Sequence, residues 1–178
     1  EQLDYLEEPD IFHDVFGHVP LLSNPAYADY MQAYGKGGLL AMDHKGVKFL
    51  ARLNWYTIEF GLIKDNGSIK AYGAGIMSSY GEAKYVMSDP SPNFIQFELE
   101  RVLRTGYYID DFQASYFTID SFDALFKECI ERPFIPLYES CRNKPMLSPF
   151  EITDSDKVLR KGTGKYWKDF PKTKTKLK

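Results

Sequence analysis

Apolar residues between Val47 and Ile63 recur at spacings of three and four: Val47, Leu50, Ala51, Trp55, Ile58 and Leu62. That period predicts one helix with a buried stripe. The same reading predicts a short helix over Asp10 to Phe16, with Pro9 near its first turn and Gly17 as its stop. Asn24 and Pro25 look like a cap and first position, opening a helix to about Tyr34, and "GKGGLLAMD" after it reads as loop or fray. Asn66-Gly67 inside "KDNGSIKAYG" predicts a hairpin turn. Helices are expected over Ser78 to Met87 and Phe94 to Arg104, with the turn cluster "SDPSPN" between them. "FQASYFTI" alternates well enough for a strand. Ser121 and Asp123 cap a further helix to Glu131, which Pro133 ends. The expected fold is mainly α with short β-hairpins.

After about Lys144 the text changes. Lys157 to Lys178 holds nine Lys or Arg and one Asp and closes on "PKTKTKLK". Residues 1–144 therefore read as the body and 145–178 as a basic C-terminal extension, a solvated and partly flexible tail. The chain has 178 residues, 44% apolar and 16% aromatic, enough for one globular domain with a sizeable core. A net charge of −3 gives no overall pointer to nucleic acid or a membrane surface. No stretch is long and apolar enough to span a membrane, and no secretory signal stands at the start. Cys129 and Cys141 make neither a disulfide framework nor a zinc pattern, so idle thiols in a reducing cytoplasm are expected. The text opens at Glu1 without Met, in polar, helix-like sequence, and reads as an N-terminally truncated piece.

Candidate chemistry sits in "EPDIFHDVFGHVPL", which holds two of the three histidines, His13 and His18. They could be unrelated residues, a satisfied core pair or two ligands of one metal. On a straight α-helix five residues turn about 500°, leaving the rings roughly 140° apart. Gly17 directly before His18 supplies a break through which His18 can swing back. Asp10, three residues before His13, is a candidate partner for its second ring nitrogen, or a plain N-terminal helix carboxylate. Asp14 could reach a bound cofactor or water, or lie on the surface. Glu59 stands among Trp55, Tyr56, Leu62 and Ile63, where a carboxylate is costly unless it is paired or metal-bound; Arg52 is the alternative partner. Two imidazoles and one carboxylate form the facial triad of non-heme Fe(II) oxygenases, with three positions open.

"EPDIFHDVFGHVPL", "NWYTIEFGL" and "IKAYGAGIMSSYGE", joined by "FTIDSFDALF" and "RPFIPLYE", together resemble the pterin-dependent aromatic amino acid hydroxylases, bacterial members above all. The resemblance implies the catalytic-domain fold of that family, lacking its upstream part. It implies Fe(II) held by His13, His18 and Glu59, and tetrahydrobiopterin or a related tetrahydropterin as cosubstrate. Trp55 matches the residue that packs on the amino acid ring, Gly75 and Ser78 line that site, and Ser78 also supports His13. Pro9 and Tyr5 match positions near the same pocket, while Asp14 and Ala51 match pterin-side positions. The implied reaction turns L-phenylalanine and O2 into tyrosine in a monomeric, cytoplasmic enzyme with no nucleic-acid or membrane partner. Asn54 and Leu6 depart from the animal members' residues beside pterin and substrate. The family's pterin loop and carboxylate-binding Arg lie upstream of this text, so the piece alone is expected to be weakly active or inactive. Two rivals are a zinc hydrolase built on the same triad and a non-catalytic module that keeps the fold. Thr118 is a position of interest for substrate choice.

Overall fold

A computed structural model describes residues 9–169 and 177–178. Tyr5 and Leu6 lie outside the described residues. Helix α1 runs from Pro25 to Asp43, more than a turn beyond the expected end at Tyr34. Asn24 caps it by accepting from Tyr27 N, and Pro25 sits at its first position, as the sequence suggested. Three glycines at 35, 37 and 38 do not stop it, because Ala41 in its last turn is fully buried in the helical core. Packing outweighs the propensity loss of about 1 kcal/mol per glycine.

The single helix expected over Val47–Ile63 divides into three parts. Helix α2 spans Val47–Asn54, a π-helix follows over Trp55–Glu59, and the chain turns at Phe60 into strand β1, Leu62–Asp65. Gly61 makes the turn possible: a Cβ there would stand 2.3 Å from Thr57 O. The hairpin is as expected, with β2 at Ser68–Ala71 and left-handed backbone at Asn66 (φ 48°) and Gly67 (φ 80°).

Helix α3 is short, Ala74–Met77; Ser79 then caps α4, Tyr80–Ser88. The helix expected from Phe94 begins only at α5, Leu99–Arg104, with Glu98 as its cap, because Asn93–Gln96 is strand β3. Strand β4, Ser115–Ile119, is buried at every residue instead of alternating. It lies in the middle of one five-stranded sheet of order β2-β1-β4-β3-β5, parallel to both neighbours. A parallel strand covered on both faces loses the alternation that marks a half-exposed strand. The fold thus holds a mixed sheet, not hairpins alone. Helix α6, Phe122–Glu131, is capped by Ser121 as expected, and Pro133 opens a further helix, α7, Phe134–Arg142.

Two apolar layers flank the sheet. Phe117, Ile119 and Ile95 face Tyr30, Phe49, Leu53, Tyr56 and Val102 on the helical side. Tyr116, Phe94 and Leu62 face Ile76, Tyr85 and Val86 on the other. The expected boundary at residue 144 has no counterpart among the described residues. Strand β5, Val158–Arg160, pairs antiparallel with β3, and Trp167 in α8, Lys165–Asp169, is buried. Arg101 pairs with Asp156 at 2.9 Å, with exposures of only 6% and 3%. The segment reads as a basic tail because its described lysines are exposed, while Trp167, Asp156 and Arg160, which lies over the Phe94 ring, pack against the body.

Candidate functional site

The first histidine segment is a π-helix, His13–His18, continued by a 3-10 turn, Val19–Ser23. Val19 N donates to Asp14 O, five residues back. A helix bonded i→i+5 is wider than an α-helix, so residues five apart return to one side. That removes the angular problem raised by the spacing. His13 Nε2 and His18 Nε2 stand 3.0 Å apart. The expected break at Gly17 does not occur; Gly17 lies within the π-helix. Its role is close packing, since a Cβ there would stand 2.8 Å from Ala74 Cβ and 3.0 Å from Ala74 O.

The second π-helix places the carboxylate. Phe60 N donates to Trp55 O, again across five residues, at 2.8 Å. Glu59 Oε2 lies 3.4 Å from His13 Nε2, and Glu59 Oε1 lies 3.5 Å from His18 Nε2. Helix α3 wedges between the two π-helices. On one side it meets Gly17; on the other, a Cβ on Gly73 would stand 2.3 Å from Glu59 O. Three short segments far apart in sequence are thus locked at backbone contact.

Hydrogen bonds set the histidine's tautomer. Ser78 Oγ donates its only proton to Ala74 O at 2.8 Å. The same oxygen lies 2.8 Å from His13 Nδ1, so Nδ1–H donates to it and Nε2 keeps its lone pair. Burial lowers the His18 pKa, against a smaller rise from Asp14, which favours the neutral imidazole that ligates. Burial raises the Glu59 pKa, offset in part by His13 and by Asn54, whose Nδ2 lies 3.5 Å away. A dication would compensate that buried charge. Donors about 2.2 Å from an ion and at right angles are about 3.1 Å apart. The two Nε2 atoms are 3.0 Å apart, and each lies 3.4 or 3.5 Å from a different oxygen of Glu59, so the three side chains are close enough to share one metal. The Asp14 carboxylate comes within 4.8 Å of both imidazoles, but it is exposed and already solvated.

Beside this cluster stands an aromatic wall. Tyr107 stacks on Trp55 with centroids 4.3 Å apart at 17°, and Phe60 leans on it at 4.7 Å. Trp55 Nε1 donates to Gln113 Oε1 at 2.9 Å.

The family model for biopterin-dependent aromatic amino acid hydroxylases matches residues 2–172. The chain belongs to that family. It is 52% identical to a phenylalanine-4-hydroxylase of Ralstonia nicotianae, over 95% of this chain and 54% of that protein. Its fold superposes with a TM-score of 0.85 on cobalt-bound phenylalanine hydroxylase from Chromobacterium violaceum, at 49% identity, covering 89% of this chain and 57% of that one. An iron- and phenylalanine-bound structure of the C. violaceum protein gives 0.83 at 49% identity, over 85% of this chain and 56% of that one. The chain therefore spans a little over half the length of these relatives. Among the described residues, no helix is long and apolar enough to cross a membrane.

Within this hydroxylase fold, the residues singled out from sequence separate into groups. His13, His18, Glu59 and Ser78 converge. Gly75 lies at the same backbone junction, where a Cβ would stand 2.8 Å from Phe60 Cζ and 3.1 Å from Glu59 O. Ala51 is half-buried on α2, one turn before Trp55. Pro9 is exposed, and Tyr5 falls outside the described residues. Asp10 is a correction: its Oδ1 accepts from the backbone N of His13 at 3.0 Å, while the imidazole takes Ser78 instead. A side chain at the start of a helix reaches the free amide of that turn more easily than a ring pointing inward. Arg52 does not pair with Glu59 but donates to Leu103 O at 3.2 Å. Thr118 is fully buried in β4. Sequence reasoning missed Gly73 and Gln113. The run "GAG" held a signal for the first; nothing near Gln113 pointed to Trp55, 58 residues away.

Proposed function

We propose that His13, His18 and Glu59 hold one Fe(II) ion, and that the complete protein hydroxylates L-phenylalanine to tyrosine with O2 and a tetrahydropterin. The observation that carries this reading is the convergence of two imidazole Nε2 atoms and the Glu59 carboxylate, with the His13 lone pair directed toward them by Ser78 and Ala74. Bound Fe(II) and tetrahydropterin would supply the electrons that activate O2, one oxygen atom going to the ring and the other leaving with the pterin.

The chain's own residues bind and orient. Three ligands on one side would leave a bound ion open to oxygen and water on the other. Trp55, backed by Tyr107 and Phe60, offers a flat apolar surface against which an aromatic side chain packs. Gly75 keeps that surface free of a side chain next to Glu59. Asp14, exposed beside the imidazoles, and Ala51, on α2, would border the pterin. No side chain here is needed as an acid or base; rate comes from proximity and exclusion of water. The two cysteines are free and buried, which suits a cytoplasmic protein, and we take it to be a monomer.

The test is tyrosine formation by the complete protein with Fe(II), tetrahydrobiopterin, phenylalanine and O2. Turnover that is lost in His13→Ala and Glu59→Ala supports the reading. Stoichiometric iron without tyrosine overturns it.

A further inference from the structure

Gln113 is only 1% exposed, yet every polar atom of its side chain is used. Its Oε1 accepts from Trp55 Nε1 at 2.9 Å. Its Nε2 donates to Tyr108 O and Asp111 O, each at 3.0 Å. A flipped amide would set its N–H groups against the indole N–H and its oxygen against two carbonyls. The partners therefore dictate which way it points. Its backbone is anchored too: Gln113 N donates to Glu82 Oε1 at 3.3 Å, and the same oxygen accepts from Tyr116 OH. Glu82 is 1% exposed, and burial pushes its carboxyl up to about 8, so the protonated form predominates at neutral pH. Gln113 stands two residues before β4, the fully buried central strand, so the anchor is attached to the middle of the sheet.

Stacking on Tyr107 sets the plane of the Trp55 ring but tolerates sliding within that plane. The χ2 torsion of tryptophan is broad and roughly two-fold, so the N–H can face either way. One directed hydrogen bond selects between these states. We propose that Gln113 is a positioning residue: its amide oxygen fixes the rotation of the Trp55 indole and thereby the affinity of the site for an aromatic amino acid. This rests on the reading of Trp55 as the wall that meets the substrate ring.

The test is a double-mutant cycle in the complete, iron-loaded protein. Gln113→Met keeps length and volume but removes the acceptor. It raises KM for phenylalanine roughly tenfold, about 1.4 kcal/mol, and changes kcat less than twofold. In a Trp55→Phe background, where no N–H needs an acceptor, the same substitution moves KM less than twofold. A KM rise equally large in both backgrounds overturns the proposal.

A second measurement does not depend on turnover. The indole N–H signals of Trp55 and Trp167 are separated by Trp55→Phe in a proton–nitrogen NMR spectrum. Gln113→Met moves the Trp55 signal upfield and speeds its exchange with solvent at least tenfold. An unmoved Trp55 signal overturns the proposal. If the parent protein makes no tyrosine while this signal responds as expected, the functional reading fails and the positioning of Trp55 stands.

Discussion

Gly17→Ala separates two explanations of the histidine helix. Gly17 does not occupy the left-handed region, which among the described residues is used by glycine only at Gly67 and Gly164. Alanine is therefore conformationally acceptable at 17, and space is what is lacking. The new Cβ would stand 2.8 Å from Ala74 Cβ and 3.0 Å from Ala74 Cα and O. Carbon atoms pack at about 3.5–4.0 Å, so the segments must part by roughly 1 Å. Helix α3 cannot recoil, because a Cβ at Gly73 would already be 2.3 Å from Glu59 O, which shows how tightly its other side is seated. The His13–His18 helix must move instead, carrying both imidazoles away from Glu59. Overpacking of this kind costs about 1–3 kcal/mol, or roughly 4–8 °C in Tm for a domain of this size at the middle of that range. Metal ligands tolerate about 0.2 Å, so a 1 Å shift should weaken metal binding more than tenfold. The assay is an anaerobic Co(II) or Fe(II) titration, paired with thermal melting in chelator. Adding Ala74→Gly removes the nearest contact and should restore at least half of the lost affinity. Gly17→Ala with unchanged affinity and Tm, or a double variant no better than the single one, would refute the reasoning.

Four further outcomes are expected. Glu59→Gln should weaken metal binding by more than a hundredfold but leave the metal-free Tm equal or higher, because it removes a charge that burial disfavours; calorimetry with and without metal reads both. Ser78→Ala should reduce metal affinity about 10–100-fold, whereas Asp10→Ala should lower stability by about 1 kcal/mol and leave affinity within twofold; equal affinity losses would show that the assignment of the imidazole's partner is wrong. The Glu82 carboxyl, ordinarily near 4.5 and raised to about 8 in the fold, holds its proton in the folded state over a range where the unfolded chain releases it. Its contribution is complete below pH 4.5 and disappears as pH rises toward 8, at about 1.4 kcal/mol per unit, so urea unfolding should show stability falling over that range and Glu82→Gln should flatten the slope. Asp156→Asn should cost about 3–5 kcal/mol by leaving buried Arg101 without its counter-charge; a loss below 1 kcal/mol would mean that residues 145–169 are peripheral after all.

Much of the site was legible locally. His13, His18 and Glu59 could be named because a carboxylate among large apolar side chains and two histidines five apart each break an ordinary pattern. The caps at Asn24 and Ser121 and the Asn66-Gly67 turn were legible for the same reason: each is satisfied within a few residues of itself. Other features were misread where a signal is non-local. The sequence predicts helix from Phe94, yet Asn93–Gln96 is strand, since a strand buried on both faces carries no period of two. Gly17 reads locally as a helix breaker, because the Ala74 backbone that it must approach lies elsewhere in the chain.

The division follows the range of the forces. Sequence by itself determined which residues could carry chemistry and where helices and turns begin, because caps, turns and the company of apolar neighbours act over three to five residues. Tertiary structure decided the rest. It widened two helices by one residue per turn so that His13 meets His18 and Glu59, it gave the imidazole Ser78 in place of Asp10, and it brought Gln113 to Trp55. Those choices depend on the α3 wedge and on a central strand flanked by partners distant in sequence, and only close packing of the whole chain fixes such distances.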